Sequence, residues 1–270
     1  MNYIGIRGHR GAGKMTVSYL LGCTIEYIIN PMKFSNNFDN QFKLWCDLVK
    51  DDEYITSHSE LDKIYFSSFK ETPELMTELL LGAFDISFDN FNKDHIIINL
   101  KDFTYKTYQQ TPENIKLLTA EELYELFKDK KEPAAITKDI YVTLREFVMY
   151  FGREVMQRFF GLNVWVKTLR NSDERYKPTY NDFNYYKIFM DVKYPSEVTY
   201  IKDKGGIIIK VSRPGHKKRG VDKLLHDDRI DYNVEIGESL YDLKDTIYEL
   251  ANTIINSNKN RSKEYVEETN

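Results

Sequence analysis

Only two cysteines occur in 270 residues, Cys23 and Cys46. They can supply neither a disulfide framework nor a zinc site, so a reducing cytosol is the expected compartment. No apolar run approaches bilayer-spanning length, and no internal repeat is visible. Excess positive charge is also missing. A net charge of −4 with 30% charged residues leaves no global basic field to draw the chain onto nucleic acid or an anionic membrane. Any recognition of phosphate therefore has to be local. Polar Arg7, His9, Arg10 and Lys14 fall where the apolar stretch of a secretory signal would lie, so none is expected at the N-terminus. What the chain does have is 41% hydrophobic residues, enough for one large domain, or one domain with a sizeable insertion.

The first residues carry the sharpest signal. The short apolar run NYIGI at 2–6 precedes the glycine-rich RGHRGAGK, and MTVSYLLGCTIEYII then reads as a helix. Gly8, Gly11, Ala12, Gly13 and Lys14 fit the spacing of a P-loop. In such a loop glycines let successive backbone N–H groups turn toward phosphate oxygens, and the following helix adds its positive end. Lys14 is the residue placed to reach β- and γ-phosphates. Met15 stands where a hydroxyl residue usually follows the lysine, and Thr16 comes one place later. Methionine cannot coordinate Mg²⁺, so Thr16 and a carboxylate from elsewhere are the expected metal contacts. The competing reading is an ordinary glycine turn.

From about Pro31 to Pro133 the chain is rich in Asn, Asp, Phe and Lys, with few β-branched runs apart from HIIINL at 95–100. A largely helical insertion is expected there. Helix starts are signalled at Thr72-Pro73 and by the capping-box pattern Thr119-Ala-Glu-Glu122. From Thr143, Leu144, Phe147, Val148, Phe151, Val155 and Phe159 recur at helical spacing and predict one apolar face. YYKIFMDV at 185–192 predicts a strand, SEVTYIKDKGG a short helix, and GIIIKVSRPG a second strand, together a βαβ unit with parallel strands. YNVEI at 232–236 and a helix from Ser239 complete the core, and the polar end of the chain is expected to fray. The expected division is 1–33 and 141–256 as core, 34–140 as acceptor-binding insertion, 257–270 as a flexible tail, and a lid-like loop near 213–230.

Asp191 falls at the C-terminal end of a predicted parallel strand, the edge where open α/β sheets bind ligands. It is a candidate for Mg²⁺ or its waters, against the plainer reading of a turn aspartate. Arg213, followed by Pro214-Gly215 and the cluster His216 to Arg219, follows the next strand, where positive charge could neutralise a transferring phosphoryl group. Arg145, Arg153 and Arg158 offer planar guanidinium forks suited to an acceptor phosphate, or else ordinary salt bridges with Glu146 and Glu154. Trp165 could stack on a base or simply be buried.

These motifs, in this order, resemble the deoxynucleoside monophosphate kinases of tailed bacteriophages. Gly-x-x-x-x-Gly-Lys-x-Thr at Gly8 to Thr16 looks like that family's P-loop, hydroxyl one place late included. LREFVMYFGREVMQRFFGLNVWVKTL at 144–169 resembles its helical segment, MDVKYPSEV its Asp-x-Arg-Phe-Pro-x-Glu stretch, and VSRPG its Val-x-Arg-Pro-Gly. Lys193 and Arg153 depart from the family's arginine and threonine, and residues 34–135 align with no motif. The resemblance implies a P-loop kinase fold, Mg-ATP as donor, a dNMP acceptor and a homodimer in the host cytoplasm. It implies no direct nucleic-acid or membrane partner. Other readings of the same residues are a dephospho-coenzyme A kinase-like enzyme and a nucleotide-binding phage protein without turnover.

Overall fold

The computed structural model describes residues 1–9, 11–50, 61–69, 96–101, 104–107, 115–129, 138–161, 163–175, 185–215 and 229–269. The chain divides into a core unit, 1–69 with 177–270, and an inserted unit, 70–176.

The core is a five-stranded sheet of β1 (Asn2–Arg7), β2 (Ile64–Ser67), β7 (Tyr186–Phe189), β8 (Ile207–Ser212) and β9 (Tyr232–Glu235). All its neighbours run parallel, in the order β2-β7-β1-β8-β9. Parallel strands need crossovers, and helices supply them. Helix α1 (Lys14–Ile29) is buried without interruption from Val17 to Glu26, because it lies between the sheet and two further helices, α2 (Phe38–Leu48) and α7 (Lys244–Thr269). On the other side of the sheet lies α6 (Pro195–Asp203). Its Tyr200 meets the rings of Tyr3, Phe69 and Phe189 edge-on, at centroid distances of 6.0 to 6.2 Å. Edge-to-face contacts of this kind suit the ring quadrupole. This is an α/β fold of the P-loop kinase type, a parallel sheet flanked by helices.

Two expectations need correcting. First, residues 34–69 belong to the core and 141–176 to the inserted unit, so the boundaries 34 and 140 are displaced. The short IYFS segment of β2 pairs with β7 at the sheet edge, a non-local contact that no local pattern announces. Second, residues 257–269 are not a coil: α7 runs to Thr269. From Lys244 to Thr269 the chain has neither glycine nor proline, so nothing local stops the helix. The strands β7 and β8 are parallel, as expected of the βαβ unit, with β1 between them.

The inserted unit is more than helical. Its described residues include a sheet in the order β4 (Thr104–Thr107), β3 (Ile96–Asn99), β6 (Tyr141–Thr143), β5 (Leu117–Leu118). Helix α3 (Ala120–Phe127) begins with the expected capping box: Glu122 N–H donates to Thr119 Oγ1 (3.2 Å), and Thr119 N–H donates to Glu122 Oε2 (2.9 Å). Helix α4 (Leu144–Met149) passes into a π-helical stretch, Tyr150–Gln157, and a last α-turn, Arg158–Phe160. The wider π turn shifts the register, so the single apolar face predicted at 3.6-residue spacing breaks up. Phe159 is accordingly exposed, while Gly152 and Glu154 are buried. Thr72-Pro73 lies outside the described residues.

Candidate functional site

The glycine-rich loop leaves the end of β1, the middle strand of the sheet, and runs into the N-terminus of α1. Connections from β1 lead toward the β2 side and those from β8 toward β9, so the crevice between the ends of β1 and β8 is the switch point where open parallel sheets bind ligands. Two glycines make the loop possible. A Cβ on Gly8 would run into the Val211 carbonyl oxygen, so the loop passes against the β8 backbone. Gly13 caps α1 at φ +85°, in the left-handed region, with Ile236 beneath it. Ala12 is fully buried and pins the loop to the core, whereas Gly11 is exposed at φ +80°.

Lys14 folds back over this loop. Its Nζ donates to the carbonyls of Gly8 (2.9 Å) and His9 (3.0 Å) and lies 3.7 Å from Asp191 Oδ1. Asp191 follows β7, and its other oxygen is 3.0 Å from Lys193 Nζ. The turn carrying Asp191 is tied to the central strand, since Val192 N–H donates to Ile6 O (2.9 Å). Arg213, exposed just after β8, has a guanidinium nitrogen 4.0 Å from where a Gly13 Cβ would stand. Lys14, Asp191 and Arg213 therefore share one edge of the sheet, around the loop. Met15 is exposed at the first turn of α1, and Thr16 beside it is half-buried.

Among the described residues no three His, Cys, Asp or Glu side chains form a metal cage. Thr16, in the first turn of α1, and Asp191, after β7, are the two oxygen donors expected from the sequence for Mg²⁺.

The sequence assigns no role to one further residue of this region. Glu197, in the first turn of α6, is buried, and its Oε2 accepts from the backbone N–H groups of Lys193 (2.6 Å) and Tyr194 (3.0 Å). Burial pushes its carboxyl up to about 7; the two backbone donors work against that shift, and the charge of Asp191 adds to it. The sequence signals for Glu197 are an acid at the third helical position behind a proline at the helix start, and its place at the glutamate of the Asp-x-Arg-Phe-Pro-x-Glu stretch that MDVKYPSEV resembles.

The remaining candidates belong to the inserted unit. Glu154 is buried between two arginines, with Arg153 Nε 2.5 Å from one oxygen and Arg158 Nε 2.6 Å from the other. Arg153 also reaches Glu121 (2.7 Å), and the Arg158 guanidinium lies over the Tyr124 ring at 3.9 Å from its centroid. Arg145 is half-buried in the first turn of α4, and Glu146 beside it accepts from the backbone N–H of Ala120 (2.7 Å). Trp165, in α5 (Val164–Arg175), is buried with its indole N–H donating to Gly152 O (3.3 Å), which ties α5 to the π-helical stretch. The cluster His216 to Arg219, and most of the expected lid-like loop, lie outside the described residues.

Of the described residues, no helix is long and apolar enough to cross a membrane. No family model matches the chain, and no curated protein matches it.

Proposed function

We propose that the protein transfers the γ-phosphoryl group of ATP to a deoxynucleoside monophosphate, yielding a dNDP and ADP. The observation that carries this reading is the convergence, at the switch point of a parallel sheet, of a glycine loop, the Lys14–Asp191 pair and Arg213. That set matches the needs of phosphoryl transfer, in which the protein positions the reactants and stabilises charge. The choice of a dNMP as acceptor rests on the resemblance described above, as do the homodimer and the host cytoplasm.

In this reading the loop N–H groups and Lys14 hold the β- and γ-phosphates of the donor. A phosphate oxygen of the acceptor attacks the γ-phosphorus, the bond to the β,γ-bridging oxygen breaks, and ADP leaves with the electron pair. Arg213 faces the charge that spreads over the transferring group. Arg145, Arg153 and Arg158 are the candidates for the acceptor phosphate, by their planar guanidinium forks and by the resemblance. Trp165 acts as a support for that helix rather than as a base-stacking platform, because its ring is buried and its N–H is taken. Thr16 and Asp191 would be the residues to hold Mg²⁺, which would supply charge neutralisation on the donor phosphates.

The test is ADP release with Mg-ATP across the common dNMPs, the corresponding NMPs and dephospho-coenzyme A. Turnover on at least one dNMP, well above hydrolysis without acceptor, is the expected result. Turnover on dephospho-coenzyme A alone would assign a different small-molecule kinase. Tight ATP binding with no ADP under any acceptor would assign a binding protein, the reading that the exposed Met15 favours.

A further inference from the structure

We infer that Glu197 is a positioning residue for the donor site, setting the place of Asp191 through the backbone of the turn between them. The inference rests on the reading of the Gly8–Lys14 loop as a donor-phosphate site. Residues 190–194 leave β7 and are held from three directions. Met190 N–H donates to Ser67 O (3.0 Å), and Val192 N–H to Ile6 O (2.9 Å). Lys193 and Tyr194 N–H both converge on one oxygen of Glu197. Asp191 sits inside this span, its own side chain shared between Lys14 and Lys193. The first two holds are backbone contacts to the sheet and are insensitive to side-chain identity. The third depends on a single carboxylate reaching back from the first turn of α6.

Burying a carboxylate is costly unless hydrogen bonds offset it, and Glu197 is nearly inaccessible. Capping α6 alone does not call for that burial, since an exposed acid at the same helical position, as at Glu122 in α3, closes a capping box equally well. What burial adds is rigidity. Packed among core residues, the side chain holds Lys193 and Tyr194 to one geometry, and with them the carboxylate three to two residues upstream that faces Lys14.

Glu197→Asp keeps the carboxyl group but shortens the arm by one methylene, so both N–H bonds cannot be kept without moving the turn. Glu197→Gln keeps an acceptor oxygen at full reach. For Glu197→Asp, the KM for ATP and the Mg²⁺ concentration giving half-maximal turnover should each rise about tenfold or more, with acceptor KM little changed. Glu197→Gln should restore both to within about threefold of wild type. In a double-mutant cycle, Glu197→Asp on an Asp191→Asn background should have almost no further effect on either quantity, because its route to the donor has been removed. A cap that serves only stability would lower the melting temperature in Glu197→Asp while leaving ATP and Mg²⁺ dependence as in wild type, and that result overturns the inference. Additive effects in the cycle overturn it too. If Glu197→Asp does not fold, Glu197→Gln decides: a tenfold loss of ATP affinity in a well-folded Gln variant would show that the acceptor oxygen is not what matters. A wild-type protein that neither binds nor turns over Mg-ATP removes the donor-site reading itself, a failure distinct from an active wild type whose Glu197 variants behave normally.

Discussion

The ammonium of Lys14 lies 3.7 Å from Asp191 Oδ1, although 177 residues separate them in the chain, and both side chains are largely shielded from solvent. The pair joins the loop after β1 to the turn after β7 across the boundary between two adjacent strands. Lys14→Ala should leave the fold intact, because the ammonium is held by two loop carbonyls and a carboxylate rather than by core packing. Turnover should fall on the order of 10²-fold or more. Steady-state kinetics on a variant with a native melting curve checks this, and unchanged kcat would remove the P-loop assignment.

Asp191→Asn keeps the shape and loses the charge facing Lys14 and Lys193. Turnover should then require more Mg²⁺, with the loss partly recovered at high concentration. Met15→Ser should be neutral or activating, since Met15 is exposed and a serine there could add one metal ligand beside Thr16. A magnesium titration of both variants separates the cases: wild-type behaviour of Asp191→Asn would make Asp191 an ordinary turn residue.

The two loop glycines should fail differently when replaced. Gly8→Ala drives a methyl group into the Val211 carbonyl, a backbone atom that cannot step aside, so stability and nucleotide binding should fall together. Gly13→Ala meets the end of the flexible Ile236 side chain but forces a left-handed conformation at φ +85°, costing about 1 kcal/mol or more. Chemical denaturation with ATP-binding measurements should therefore show the larger loss for Gly8→Ala.

Arg158 is tied to the buried Glu154 and stacked over Tyr124, so its guanidinium plane is fixed before any ligand arrives. Replacing Arg158 or Arg145 with Lys keeps charge and loses the planar fork. If these residues grip the acceptor, KM for the dNMP should rise more than KM for ATP, which serves as the internal control. Equal rises would indicate a general effect on the inserted unit, and no rise would return both residues to structural ion pairs.

Glu197 gives the protein a pH dependence of definite sign. Its carboxyl titrates near 7 in the native state against 4.5 for an ordinary glutamate, so the native state holds the proton more tightly. The resulting stability is fully present below about 4.5, declines as pH rises through 7, and is flat above. Its upper size is about 3 kcal/mol, from roughly 1.4 kcal/mol per pH unit. Glu197→Gln should abolish this slope, so it should gain on wild type as pH rises from 5 to 8. Urea unfolding at several pH values measures it, and parallel profiles for the two proteins would contradict it.

Sequence by itself determined the local pieces. The β1–loop–α1 unit, the strands ending near Asp191 and Arg213, and the box at Thr119 are written in spacings of a few residues, where glycine conformation, capping chemistry and apolar periodicity act directly on neighbouring backbone. The tertiary structure decided what depends on distant partners. It inserted β1 between β7 and β8, drew Ile64–Ser67 into the sheet edge and set Lys14 against Asp191. It also widened 150–157 into a π-helix around Glu154 and turned Glu197 inward beneath the Asp191 turn. Each of these follows from packing and from the need of buried polar groups to find partners, and the partners lie too far along the chain for any local pattern to name them.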